Sequence, residues 1–343
     1  MKALIGMSGG VDSSVAAYLT MQMGYTCIGG TMKLWSDVSA DAQNVAQRLG
    51  IPFYSFDLTE RFCSAVVSPF IRCYEDGLTP NPCVECNRHL KFGDFLQKAL
   101  ELGCDKIVTG HYARITFENG HYQLRKALDE GKDQTYFLYR LTQHQLAHTL
   151  FPLGELTKAE ARKIAEEQGF ITAKKRDSQD ICFIPDGDYL AFMQRHTGKE
   201  YAPGDFLDTT GKTVGRHKGA VGYTLGQRKG LGLAMGAPVY VCSKDMRQNT
   251  VTVGPNEALF HKCLRARDWN WISIEELTQP IRVSAKARSR QAEQPAWVYP
   301  EENGCARVEF DEPQRAITPG QAVVLYDGST VVGGGTITEA FSS

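Results

Sequence analysis

The stretch that most restricts what this chain can fold into is Met7-Ser8-Gly9-Gly10-Val11-Asp12-Ser13-Ser14. It follows a short apolar run, Ala3-Leu4-Ile5-Gly6, and opens a run with helical spacing (Val11, Val15, Ala16, Leu19, Met23) that stops at Gly24. The pattern predicts a strand, a tight glycine turn and a helix N-terminus. Backbone N–H groups and the helix dipole make such a turn an anion site, most simply for phosphate. The paired glycines let the backbone approach a ligand closely. Ser8, Ser13 and Ser14 add hydroxyl donors, and Asp12 could orient a metal ion. A serine-capped helix after a strand is the plain alternative, but so much glycine, serine and acid in one turn favours a phosphate loop.

The loop lacks the lysine of a Walker A motif. No Gly-Lys-Ser/Thr follows at the required distance, and the near miss at Gly211-Lys212-Thr213 has Phe206 where the first glycine belongs. The Ser-Gly-Gly-Val-Asp-Ser form resembles instead the pyrophosphatase loop (PP-loop) of ATP enzymes that release diphosphate and leave AMP on an oxygen of the substrate.

Apolar and helical runs alternate after the loop: residues 25–32 as a second strand, 41–49 as a helix closed by Gly50, and 52–58 as a third strand. Strand–helix–strand at this spacing predicts right-handed crossovers and a parallel sheet, with ligands at the carboxyl ends of its strands. Residues 105–109 are a further strand, followed by a hairpin (114–117 and 121–125) turning at Asn119-Gly120. Residues 157–168 are a helix closed by Gly169. After about residue 195 helical periodicity thins and Gly, Thr and Val rise. Short strands are expected near Val214, 238–243 and 250–254, then 282–287, 305–310, 322–326 and 331–338. The fold class expected is α/β: a Rossmann-like PP-loop domain over residues 1–195, a small β-rich domain over 196–260, and a C-terminal β-barrel over 261–343.

At 343 residues, with 42% hydrophobic and 22% charged residues, the composition is that of a soluble multidomain protein. No apolar run approaches the ~20 residues of a membrane span, and the N-terminal run is too short for a signal peptide. Ten cysteines at irregular spacing predict reduced thiols and a cytoplasmic location.

Three of those cysteines sit in polar, turn-rich settings. Asn81-Pro82-Cys83-Val84-Glu85-Cys86-Asn87 places two thiols just before a helix whose apolar face is Leu90, Phe95, Leu96, Ala99 and Leu100. A thiol at a helix N-terminus is expected to have a lowered pKa, which favours thiolate. The third is Cys182, in Arg176-Asp177-Ser178-Gln179-Asp180-Ile181-Cys182-Phe183. The other seven lie in apolar or strand-like runs and are expected to be packing residues. A lone C-x-x-C is half a zinc site, and no second pair follows, even counting His89. Catalytic thiols, a redox pair and an iron–sulfur site on Cys83, Cys86 and Cys182 with one iron position open all remain compatible with the residues alone.

With these motifs together the chain closely resembles the tRNA-specific 2-thiouridylase family over nearly its whole length. The likeness includes Thr31-Met32-Lys33-Leu34-Trp35, Thr109-Gly110-His111-Tyr112-Ala113, residues 132–138, Ile181-Cys182-Phe183-Ile184 and residues 223–232. The resemblance implies that Gly6, Met7, Ser8, Gly9, Gly10, Val11, Asp12, Ser13, Met32 and Gly110 hold ATP, with Mg2+ as its companion ion. It implies that Asn81, Pro82 and Cys83 meet the target base, and that Lys132, Asp133, Gln134, Arg288 and Ser289 contact tRNA. Cys182 would carry a persulfide, with Cys86 as the nucleophile that forms a transient disulfide with it. Two departures stand out. Many members have Asp where this chain has Cys83, which keeps a [4Fe–4S] route open beside the persulfide relay, and Ser289 replaces a usual Tyr. The implied partners are the anticodon stem-loop of tRNA (Lys, Glu and Gln acceptors) and a sulfur-donor protein such as a cysteine desulfurase or relay. No membrane partner is implied.

Local charge agrees with an RNA partner although the net charge is only −1. Residues 209–243 contain no acid but include Lys212, Arg216, Lys218, Arg228 and Lys229; residues 282–292 carry Arg282, Lys286, Arg288 and Arg290, also without an acid. Such patches suit phosphate contacts. The rival readings are an amide-forming PP-loop ligase and a non-catalytic RNA-binding or metal-storage protein.

Overall fold

The computed structural model describes residues 1–35, 40–173, 175 and 181–342. The first layer is a five-stranded sheet: β1 (Lys2–Gly6), β2 (Thr26–Lys33), β3 (Phe53–Asp57), β4 (Lys106–Val108) and, after an intervening hairpin, β7 (Thr149–Leu150). Its order is β3-β2-β1-β4-β7 and every pairing is parallel. Strand β1 lies at the centre and is apolar on both faces, as a parallel sheet covered on two sides requires. Ala3 and Ile5 face α1 (Val11–Gln22) and α2 (Ala40–Arg48), whereas Leu4 packs with Phe92, Phe95 and Leu96 on the opposite side. Burying a side chain the size of Leu4, Ile5 or Phe95 contributes about 1.5–3 kcal/mol.

Helix α1 differs from the amphipathic stripe expected of it. Ser13, Ser14, Ala17 and Thr20 are buried along with Val11, Val15 and Ala16, and Met23 lies beyond the helix end and is exposed. Small residues all round let α1 pack tightly into the layer. Leu100 likewise departs from the expected apolar face and is exposed, while Leu90, Phe95, Leu96 and Ala99 are buried.

The hairpin β5 (Arg114–Glu118) and β6 (His121–Arg125) turns at Asn119 (φ 51°) and Gly120 (φ 81°), the two positive angles of a tight hairpin turn. It does not join the first sheet. Arg125 pairs with Thr330, so the hairpin extends the C-terminal sheet. The central four-stranded sheet has the order β10-β11-β8-β9, with β8 (Gly204–Leu207), β9 (Thr213–His217), β10 (Tyr240–Asp245) and β11 (Thr250–Gly254). Strand β8 carries no legible alternation in its four residues; only Phe206 is buried.

Six antiparallel strands make the barrel: β12 (Phe260–Trp271), β13 (Ile281–Lys286), β14 (Gln294–Pro300), β15 (Ala306–Arg315), β16 (Ala322–Asp327) and β17 (Thr330–Phe341). Pairing of β12 with β17 closes it and removes the open edges. The barrel is bound to the first domain through one continuous core, in which Ile272, Ala322, Val324 and Tyr326 pack with Tyr136, Tyr139 and Phe92. Polar braces add to it. Tyr136 Oη donates to the Ala322 carbonyl (2.9 Å), and Gln321 Nε2 donates to the carbonyls of Thr79 (3.1 Å) and Pro80 (2.9 Å). A Cβ on Gly320 would lie 2.8 Å from the Thr79 carbonyl oxygen, so the barrel turn approaches this segment as only glycine allows. Among the described residues no helix is long and apolar enough to cross a membrane.

Candidate active site

The glycine loop leaves β1 at its carboxyl end, where Met7 N–H donates to the Gly30 carbonyl (2.8 Å). Gly9 has φ +73°, which a side chain would resist, and Gly10 enters α1 in an extended conformation (φ −99°, ψ 166°) without a side-chain cap. The serines shape the loop from inside. Ser13 Oγ accepts from Ser8 N–H (3.2 Å) and donates to the Gly10 carbonyl (3.1 Å), and Ser14 Oγ donates to the same carbonyl (2.9 Å). Gly110, at the end of β4, presses on the loop: a Cβ there would lie 2.7 Å from the Asp12 carbonyl carbon and 2.8 Å from Ser13 N. Gly110 thus lies against the loop at Asp12 and Ser13, and Met32, near the end of β2, is half-buried.

Asp12 is fully engaged. Its oxygens accept from Lys158 Nζ (2.7 and 2.8 Å) and from Tyr112 Oη (2.9 Å). Tyr112 is in turn held by Gln134, whose Oε1 accepts from Tyr112 N–H (2.9 Å) and whose own N–H donates to the Tyr112 carbonyl (3.0 Å). Lys175 Nζ donates to the Gly9 carbonyl (3.0 Å) and to Asp41 (3.0 Å). Sequence reasoning missed Lys158 and Lys175. Lys158 opens a helix behind the Thr157–Glu160 capping box, where a lysine looks like surface charge.

Cys83 and Cys86 lie on the short helix Pro82–Cys86, which continues as a π-helical turn over Asn87–Asp94 and an α-helix over Phe95–Glu101. Cys83 is exposed; Cys86 is only 8% exposed and shares a cluster with Leu90, Phe62, Phe70 and Phe183. Phe183 is wedged edge-on against Phe62 (5.5 Å) and Phe70 (5.3 Å), which fixes the neighbouring Cys182 at the same place. Cys182 is exposed, and all ten cysteines are free thiols. The thiols interact electrostatically: Cys182 and Cys83 both act on Cys86, and Cys83 acts on Cys182. Residues 176–180, which lead into Cys182, lie outside the described residues.

The expected lowering of the thiol pKa is not found. Burial pushes Cys86 up to about 11, and partial desolvation by the surrounding chain raises Cys83 and Cys182 although both reach the surface, with Lys91 opposing the rise at each. The helix carrying Cys83 has only five residues before it widens, and an apolar pocket outweighs so short a dipole. The iron–sulfur alternative meets a donor set that does not fit. Among the described residues no three His, Cys, Asp or Glu side chains converge on one ion, and Cys83, Cys86 and Cys182 are all described.

Asn81 and Pro82 line a cavity of about 220 Å³ with Phe70, Cys73, Tyr139 and Ala322, between the thiol helix and the barrel. Of the residues expected on tRNA, Asp133 and Gln134 also do internal work. Asp133 accepts from Ala127 N–H (3.0 Å) and Thr135 Oγ1 (2.6 Å), while Lys132 and Ser289 are half-buried. Arg288 is half-buried and its Nη2 donates to the Leu225 carbonyl (3.0 Å) and to Thr318 Oγ1, tying the central domain to the barrel. Arg282 is neutralised by a two-pronged pair with Asp311 (2.7 and 2.5 Å).

A PP-loop on a parallel sheet, with thiols on an adjoining helix and a barrel behind, defines a nucleotide-binding α/β enzyme of the HUP type. Residues 1–186 match the family described as a tRNA methyl transferase HUP domain, 190–255 its PRC-barrel domain, and 261–337 an aminomethyltransferase β-barrel domain. The chain is 49% identical over 352 residues to the tRNA-specific 2-thiouridylase MnmA of Clostridioides difficile, covering 98% of each. The Acetivibrio thermocellus protein of that name is 48% identical, over 98% of this chain and 99% of its own. Among solved structures, a 4-thiouridine synthetase–RNA complex with bound ATP overlaps 54% of this chain and 45% of its own at 17% identity, with a TM-score of only 0.35. The chain belongs to the tRNA-specific 2-thiouridylase family.

Proposed function

We propose that this protein is a tRNA-uridine 2-sulfurtransferase that uses ATP to replace the 2-oxygen of the wobble uridine with sulfur. Two features of one domain support the reading: a lysine-free glycine loop packed against Gly110, and Cys86 gathered with Phe183, the neighbour of Cys182, on one aromatic cluster. The first half suits adenylation. The uracil 2-oxygen attacks the α-phosphate of ATP, diphosphate leaves, and a poor oxide leaving group becomes AMP. Mg2+ arriving with the nucleotide would neutralise charge on the diphosphate, keeping mostly water and phosphate ligands. The acid in the first turn of α1 is Asp12, already committed to Lys158 and Tyr112.

The second half suits sulfur transfer. A donor protein supplies sulfur as a persulfide on Cys182. Its terminal sulfur attacks carbon 2, the carbon–oxygen bond breaks, and AMP departs. Cys86 then attacks Cys182 Sγ, leaving 2-thiouridine and a Cys86–Cys182 disulfide, which a thiol reductant must reopen before the next turnover. Asn81, Pro82 and Cys83 would receive the unstacked base, since a modified base must leave its stack. Lys132, Arg288 and Ser289 are assigned to the tRNA body, and the reaction to the cytoplasm, where thiols stay reduced.

The test supplies ATP, an anticodon stem-loop tRNA and a persulfide donor. AMP release together with retarded migration of the tRNA in a mercury-containing gel is expected. AMP release without retardation, retained at full rate in Cys86→Ser, would identify an amide-forming ligase instead.

A further inference from the structure

Between Cys86 and Phe95 the thiol-bearing helix widens. Asn87–Asp94 is π-helical, and the Phe95 N–H donates to the Leu90 carbonyl five residues back. In an α-helix, residues five apart point about 140° away from one another. In a π-turn five residues close one hydrogen-bonded loop, so Lys91 comes round to the side of Cys86. The wide turn is braced from outside: Asn87 Nδ2 donates to the Phe137 carbonyl (2.9 Å), and Gln145 Nε2 to the Phe92 carbonyl (2.8 Å). Lys91 is half-buried and makes no hydrogen bond or ion pair with any described residue.

Its surroundings are the two halves of the site. Lys91 is the cation felt by Cys83, Cys86 and Cys182 alike, and also by buried His111. His111 accepts or donates at Nδ1 to Thr109 Oγ1 (2.7 Å) and follows Gly110, which touches the loop at Asp12 and Ser13. Keeping an unpaired ammonium half out of water costs free energy, and an anion arriving beside it recovers that cost. The anions that the proposed reaction makes at the thiols are sulfur anions.

We propose that Lys91 is a positioning residue that holds the sulfur anion during transfer, first the Cys182 persulfide and then the Cys86 thiolate. This rests on the thiolation reading above. The π-turn is what brings the charge to the thiols, and the burial of Cys86, which disfavours its thiolate, is what makes a cation needed.

The full-length protein is compared with Lys91→Met and Lys91→Arg. Without ATP or tRNA, iodoacetamide labelling of exposed Cys83 and Cys182 at pH 8 is followed peptide by peptide. One unit of thiol pKa is tenfold in thiolate, partly offset by greater nucleophilicity, so Lys91→Met should label about threefold more slowly. Lys91→Arg should label like the wild type. In the thiolation assay Lys91→Met should lower kcat about tenfold with KM for tRNA unchanged, and Lys91→Arg should restore most of it. Unchanged labelling in Lys91→Met overturns the proposal. So does a raised KM for tRNA at unaltered kcat, which would make Lys91 a phosphate contact. An Arg variant no better than Met, with a lowered melting temperature, would make it structural. If the wild type forms no 2-thiouridine, the functional reading falls, while the labelling comparison still decides whether Lys91 governs the thiols.

Discussion

The glycine loop and the thiol cluster, the two halves of the proposed site, are built in opposite ways. The loop is local. Its glycines, serines and aspartate are contiguous, and Ser8, Gly10, Ser13 and Ser14 bond to one another within a single turn. The thiol cluster is tertiary: Cys86 and Cys182 come from separate segments, brought together because Phe62, Phe70, Phe183 and Leu90 bury one another. A local motif is strong where backbone donors matter, because every residue supplies them. A tertiary motif is needed where reactivity must be withheld, because apolar surroundings keep a thiol protonated until substrate arrives.

The largest expected effects break the thiol half alone. Cys182→Ala should abolish mercury-gel retardation while leaving tRNA binding intact by filter assay. Cys86→Ser should likewise stop 2-thiouridine formation while AMP still forms. Loss of tRNA binding in Cys182→Ala would show that this thiol is structural.

Next in size is a change that breaks the loop from outside. Gly110→Ala places a Cβ 2.7 Å from the Asp12 backbone. Overpacking of that kind costs about 1–3 kcal/mol, so KM for ATP should rise about 5- to 100-fold while iodoacetamide labelling of Cys182 stays the same. Parallel loss of labelling would mean that the halves are not independent.

Acidity sharpens the contrast. Burial holds Cys86 near 11, above the ordinary thiol, so at neutral pH its thiolate is scarce and grows tenfold per unit as pH rises. The single-turnover rate of disulfide formation should therefore climb with unit slope from pH 7 to 9 without a plateau. The AMP-forming step should be much flatter over that range. A plateau near pH 8 in the thiol step would contradict the buried, protonated Cys86.

The smallest effect is expected inside the loop. Ser13→Ala removes three hydrogen bonds within the loop, each with a net worth of about 1 kcal/mol or less when water can replace it, and KM for ATP should rise about fivefold with thiol labelling untouched.

Much of the fold was legible because apolar spacing follows backbone geometry. Strands β1, β2 and β3, helices α1 and α2, and the Asn119-Gly120 hairpin lie where alternation and glycine placed them. Strand β8 was not legible, because four residues with one buried side chain carry no period. Nor was the hairpin's transfer to the barrel sheet, since its edge partner, β17, lies far away in sequence. In the candidate site the loop residues were readable from their own chemistry and Gly110 only through the family resemblance, whereas Lys158, Lys175 and Lys91 looked like ordinary surface charges.

By itself the sequence determined the glycine loop between strand and helix and the parallel direction of the strands around it, both consequences of local spacing and residue chemistry. Only the tertiary structure decided the state of the thiols. A helix terminus considered alone lowers a thiol pKa, but the field at Cys86 is set by what surrounds it, and the aromatic cluster, with Lys91 as the counterweight, raises it instead. Dielectric environment is a property of packing, and packing is made by residues that the chain brings together from far apart.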